Sequence, residues 1–246
     1  MLVFVSAANA DLVTDGLVSY YTLDKDDIAD KAVKDIIGGK NGTIVGAPKS
    51  IPGHLGEALD FAGEPDSVQL PPILKVGENP VSYECWFMKT ETAGWQYLIV
   101  NKTDFSDNFF RLGFNQNTGQ VRMYTEQNNN ERLAFVTPDD YADGQWHHVV
   151  ATREGSQGRI YVDGELVKED VAMEGDLGGD KTNWFLAQNG GNKAGEYLIG
   201  AMDEVRIYNR ALTEEEVKQN FESKGMAAVD SKSKLATAWG MIKGAI

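Results

Sequence analysis

The sequence predicts an all-β protein, a two-sheet antiparallel β-sandwich with one short helix near the C-terminus. Three observations lead there. Short apolar or alternating runs recur through most of the 246 residues, punctuated by Gly, Asn and Asp. Only one segment carries a well-specified helix start. Hydrophobic residues make up 42% of the chain, enough to build a substantial core in a single domain of this size.

The elements follow in order. Residues 17–23 (LVSYYTL) read as the first strand. Residues 57–61 and 67–70 read as a strand pair around the turn residues Gly63, Glu64, Pro65 and Asp66. Further strands are expected near 81–88, 96–101, 109–114, 120–125, 132–136 and 146–153. The clearest hairpin joins 159–162 to 165–167 through Asp163-Gly164, a pair that favours a type I′ turn because both central residues need positive φ. Strand signals resume at 183–187 and 197–208. Thr213 followed by Glu214, Glu215 and Glu216 is a capping box, and Leu212 with Val217 supplies the hydrophobic staple. The helix is expected over about 214–224, with Val217 and Phe221 on its buried side and Gly225 as its stop.

The ends read differently. Residues 1–10 are apolar and close on Ala8-Asn9-Ala10, the pattern of a signal-peptide remnant, against the alternative of a short first strand. Residues 11–225 form the domain. Residues 226–246 read as a linker and a short amphipathic tail, in which Leu235, Trp239 and Ile242 recur at helical spacing. Two readings of that tail stay open, a helix folded back on the domain and an attachment peptide.

Charge narrows the function. Twenty-three Lys and Arg stand against 37 Asp and Glu, a formal charge of −14. Such a chain repels phosphate backbones, which disfavours nucleic acid, and it suits divalent cations with hard oxygen ligands. The single cysteine, Cys85, lies in an apolar run and reads as a small core residue. His147 and His148 are adjacent on a strand, point to opposite faces and cannot chelate one ion together. Trp146 beside them is expected to be buried. No apolar stretch is long enough for a membrane span.

Four segments in order resemble one family: Gly16 to Asp24 (GLVSYYTLD), Asp35 to Thr43 with Gly56 to Phe61, Gly144 to Val149 with Val162-Asp163-Gly164, and Gly200 to Thr213 (GAMDEVRIYNRALT). Together they are similar to the laminin-G-like, concanavalin A-like lectin/glucanase superfamily, in its bacterial jelly-roll branch. The chain departs from the pattern in a longer acidic first loop, 25–34, and in Ile36-Ile37 where the family has two serines.

That resemblance implies a jelly-roll topology and one structural Ca2+. By position it gives Asp24 and Asp203 as carboxylate ligands, with Asn41 and Thr43 offering loop carbonyls. It also implies a secreted, non-catalytic carbohydrate-binding or adhesion module whose partner is a glycan or an extracellular or cell-surface protein. Loop residues Trp95, Tyr97, Phe105 and Asn129 are the sugar-binding candidates, because aromatic faces and planar amides suit a pyranose. Each has a plainer reading, as core aromatic or hairpin loop. The alternatives are a protein scaffold without a sugar site, and a glycoside hydrolase. The last is disfavoured because the Glu-x-Asp-x-x-Glu strand pattern of the family's retaining enzymes is absent. Asp203 and Glu204, being adjacent on a strand, are expected on opposite faces, and Glu214 to Glu216 belong to a helix start.

Overall fold

A computed structural model describes residues 10–77, 79–102, 109–127, 130–171, 183–190 and 195–226, with backbone alone for 109, 126–127 and 130–133. Residues 1–9 and 227–246, which hold the expected signal remnant and amphipathic tail, lie outside the described residues, as do Phe105 and Asn129. Among the described residues, no helix is long and apolar enough to cross a membrane.

Seventeen strands and one α-helix are present among the described residues. The first sheet has the spatial order β15 (Glu165–Asp170), β14 (Gln157–Val162), β13 (Trp146–Glu154), β8 (Val81–Met88), β17 (Ile199–Tyr208), β6 (Glu57–Ala62) and β5 (Lys49–Pro52). Strand β1 (Leu17–Tyr21) also pairs with β17. The second sheet runs β12 (Asn130–Val136), β11 (Val121–Gln127), β10 (Phe109–Phe114), β9 (Gln96–Lys102) and β16 (Asn183–Leu186). It continues through β7 (Ser67–Leu70), β4 (Gly42–Val45), β3 (Ala32–Val33) and β2 (Ile28–Ala29). Helix α1 (Glu214–Glu222) lies on the outside of the first sheet.

Alternation builds the core. Val81, Tyr83, Cys85 and Phe87 of β8 face Phe110, Leu112 and Phe114 of β10 and Val121 and Met123 of β11, all in one cluster between the sheets. Each large apolar side chain buried there contributes about 1.5–3 kcal/mol. A second cluster, absent from the sequence reading, covers the outer face of the first sheet: Leu12, Val13, Tyr20, Val150, Tyr161 and Tyr208 meet Leu212 and Val217 of the α1 entry.

The capping box is present in both directions, and the Asp163-Gly164 turn has φ of 51° and 82°, as type I′ requires. Several expectations are corrected. Strands β6 and β7 do not pair; they belong to different sheets, and residues 63–66 carry the chain across. Asp66 fixes that crossing by accepting the N–H groups of Ala47 at 2.8 Å and Ala62 at 3.1 Å. Helix α1 ends at Glu222, two residues early, because Ser223 is already extended. Its second buried position is Asn220, not Phe221. Trp146, expected to be buried, is only half-buried, whereas its neighbour His148 is buried.

Candidate functional site

Two acids meet at one turn. Strand β17 loses register against β8 between Asp203 and Arg206, with Glu204 at φ 54°. This bulge lets Met202, Val205 and Ile207 all face the core, so Asp203 and Glu204 fall together on the outer side. The expectation that they face opposite ways is therefore overturned by one extra residue. Asp203 Oδ2 accepts the Leu55 N–H at 3.0 Å, and Asp24 Oδ1 accepts the Glu57 N–H at 2.6 Å. A carboxylate from the loop after β1 and one from β17 thus close on the turn between β5 and β6.

Glycine makes the approach possible. A Cβ at Gly53 would stand 2.6 Å from Asp203 Oδ2, and one at Gly56 would stand 2.3 Å from Asp24 Oδ1. Between them, His54 lies flat on Trp86 with ring centroids 3.3 Å apart, which anchors the turn to the sheet. Asp203 is fully buried, and its Oδ1 has no hydrogen-bond donor among the described residues. Burial, with the charges of Glu204 and Asp24 beside it, pushes its carboxyl up to about 8. A buried carboxylate oxygen without a donor, next to a second acid, is costly as a bare anion and is stabilised by a hard cation. The residues fit a metal ion to that extent. Among the described residues, no three His, Cys, Asp or Glu side chains gather round one point, so backbone oxygens and water must complete any coordination shell.

Asn41 and Thr43 are not brought to this turn. Asn41 Oδ1 accepts the Asp35 N–H at 3.0 Å, and Asp35 in turn accepts the N–H groups of Tyr20, Ile37, Gly38 and Lys40. That carboxylate closes the 35–40 loop by itself. Thr43 sits on β4 in the second sheet, paired with Gln69 and Ala32.

A buried ion network lies nearby, beneath α1. Arg206 donates to Glu84 at 2.5 Å and to Glu204, which also accepts the Tyr20 hydroxyl. Glu84 is completed by His148 Nε2 at 3.0 Å and Asn220 Nδ2 at 2.7 Å. Burial alone would raise the Glu84 carboxyl; Arg206 and the two hydrogen bonds outweigh it and hold the group at about 2. Glu84 is thereby committed to joining sheet and helix, and Glu204 to joining β17 and β1. His147 lies on the opposite face, as expected, between Asp163 at 2.8 Å and Asp143 at 3.2 Å.

The second sheet presents a different surface. Because Phe110, Leu112, Val121 and Met123 point inward, Arg111, Arg122 and Tyr124 point outward. The Arg122 guanidinium carbon lies 4.6 Å from the Trp95 ring centroid and 4.5 Å from that of Tyr124. Arg111 lies 5.4 Å from Tyr124 and 5.3 Å from Tyr97. The result is a continuous row, Trp95, Arg122, Tyr124, Arg111 and Tyr97, whose last four members line a shallow cleft with Gly113 and Phe114. A Cβ at Gly113 would stand 2.8 Å from the Tyr97 Cα, so glycine lets the strands close up there. Trp95, Arg122 and Tyr124 are half-buried, whereas Tyr97 and Arg111 are buried. Sequence reading selected Trp95 and Tyr97 and missed Arg111, Arg122 and Tyr124. The signal was there in the alternation of 110–114 and 121–125, which puts all three on the solvent side.

Comparison with known proteins supports the architecture. A laminin-G-type family model, that of the concanavalin A-like lectin/glucanases superfamily, matches residues 62–218. The human adhesion G-protein coupled receptor D1 is 30% identical over 118 residues, which are 46% of this chain and 13% of the receptor. The mouse basement membrane-specific heparan sulfate proteoglycan core protein is 38% identical over 82 residues, 32% of this chain and 2% of that protein. The chain thus spans only a small part of either relative. Among solved structures, domain 4 of AbnA, a GH43 extracellular arabinanase from Geobacillus stearothermophilus in complex with arabinotriose, superposes with a TM-score of 0.67 at 18% identity. That match covers 83% of this chain and 97% of the other. The ligand-binding domain of botulinum neurotoxin serotype D, in complex with N-acetylneuraminic acid, gives a TM-score of 0.61 at 15% identity, covering 85% of this chain and 51% of that one. The family match takes in well over half of the chain and falls on the sandwich just described: this chain belongs to the concanavalin A-like lectin/glucanases superfamily.

Proposed function

We propose that the chain is a non-catalytic binding module that works outside the cell, taking a glycan on the outer face of its second sheet. The observation that carries this reading is the row of Trp95, Arg122, Tyr124, Arg111 and Tyr97. Aromatic rings offer a flat apolar surface to the face of a sugar, and guanidinium N–H groups donate to its oxygens. A rigid sheet holds both in place without an ordering cost on binding. The arabinotriose and N-acetylneuraminic acid bound by the two similar domains support a glycan as the ligand. The adhesion receptor and the basement-membrane proteoglycan support an extracellular setting.

Asp24 and Asp203 would hold a structural Ca2+, which neutralises the two acids and ties β1, β17 and the 53–56 turn together. Catalysis has little to draw on. Glu84 and Glu204 are bound to Arg206, and Glu216 is held by Arg210 at 2.6 and 2.8 Å. The purified chain, with calcium present, should bind glycans on an array in competition with free sugar, and Tyr124→Ala should lose that signal. It should release no reducing ends from β-glucans and no aryl groups from aryl glycosides. Turnover abolished by mutating one carboxylate would replace this reading with hydrolysis. Absence of glycan binding would favour a protein-adhesion domain.

A further inference from the structure

We infer that the groove between the β14–β15 hairpin and the start of α1 is a docking site for this chain's own residues 235–243, with Trp239 as the anchor. The inference stands apart from the glycan reading above.

The groove has an apolar floor and an acidic rim. Tyr161 and Leu166 oppose each other across β14 and β15, so both stand on the outer face of the first sheet. With Leu212 they line a cavity of about 460 Å³. Leu166 is 37% exposed, and among the described residues only Ile37, Val171 and Ile199 are large apolar side chains as open. Glu154, Glu214 and Glu215 line the same groove, are exposed and hold no ion pair among the described residues. Arg159, the cation beside them, is drawn to Glu169 at 3.4 Å and to Gln157. Such a surface fits an apolar segment that carries cations.

The C-terminal segment has that chemistry. Residues 227–246 hold Lys232, Lys234 and Lys243 against one acid, Asp230, in a chain whose overall charge is −14. Leu235, Trp239 and Ile242 share one side at helical spacing, and Lys232 and Lys243 extend that stripe at its two ends. Tryptophan is among the side chains that most often anchor a contact in a pocket. Residues 1–9, by contrast, contain no Lys or Arg and cannot answer the acidic rim.

Position agrees with chemistry. Met226, the last described residue, packs on the apolar cluster to which Tyr161 and Leu212 belong, so the chain leaves on this face. The return path to Thr213 and the groove is roughly the length of α1, nine residues or about 14 Å. Residues 227–234 span about 26–29 Å when extended, which is enough.

Hydrogen exchange of the full chain, read by mass spectrometry, tests the inference. Amides of 235–243 should exchange about tenfold or more slower than in a synthetic peptide of residues 227–246. Trp239→Ala and Leu166→Asp should each return them to the peptide rate, while protection of β8 shows that the fold persists. Glu214→Lys combined with Glu215→Lys should speed their exchange by about threefold or more. A wild-type segment that exchanges at the peptide rate overturns the inference. So does protection that Leu166→Asp leaves unchanged, because the segment then rests elsewhere. Protection that is lost on dilution assigns the segment to a second copy and overturns docking within one chain. If β8 loses protection in Leu166→Asp, the double glutamate variant decides, and unchanged exchange of 235–243 in that variant overturns the site.

Discussion

His147 shows how a single side chain couples this fold to pH. Its Nδ1 lies 2.8 Å from Asp163 and its Nε2 3.2 Å from Asp143, and the Asp163 hydrogen bond is the leading cause that raises its pKa above 6.5. A raised value means that the folded state holds the proton more tightly than the unfolded chain. The resulting stabilisation is complete below pH 6.5 and is lost as pH rises through the folded value. The urea midpoint difference between wild type and His147→Gln should therefore be larger at about pH 5.5 than at about pH 8.5. Equal differences at both would remove the ion pair from the account. Asn220 is the second case. Its amide accepts the Val13 N–H at 2.9 Å and donates to Glu84 at 2.7 Å and to the Tyr208 hydroxyl at 2.9 Å. Asn220→Leu strands a buried carboxylate oxygen and should cost about 2–4 kcal/mol in urea unfolding. The sequence could not reveal this residue, because its main partner is 136 positions away and an amide on a helix ordinarily faces water. Asp24 and Asp203 were selected for the opposite reason, since each sits in a local motif that resembles the family's.

Among the elements, the β14–β15 hairpin was read correctly because its information is local. Two residues set both φ angles, and Val162 opposite Glu165 fixes the register. Gly164→Val would place a β-branched residue at φ 82° with a Cβ 3.1 Å from Phe221 Cδ1. The strain should cost about 1–3 kcal/mol, seen as a lower urea midpoint; an unchanged midpoint would contradict the turn assignment. Period-two reasoning failed where it had to, at the β17 bulge, since one added residue at Glu204 shifts every later side chain. It also failed to say that β6 and β7 part company, because alternation marks an inward face without naming the sheet. Strands β2 to β5 were missed as well. They hold two to four residues each, too few for a pattern to emerge.

Across the whole molecule, two sheets enclose one apolar core, and the outer surfaces differ in use. The first sheet is covered by the 11–17 segment and α1, and the buried Glu84–Arg206–Glu204 network joins them. The second sheet shows an aromatic and cationic row to solvent. Calcium is the link that would make the construction rigid, because Asp24 and Asp203 lie 179 positions apart and close on a turn from a third place in the chain. A ligand that binds the folded state alone raises the melting temperature by mass action. Calorimetric melting of metal-stripped protein, with and without calcium, tests this most directly, using wild type beside Asp203→Ala. The wild type should melt higher as calcium is added, and Asp203→Ala should melt at one temperature throughout; a wild type that melts identically in chelator and in calcium would contradict the proposed metal site.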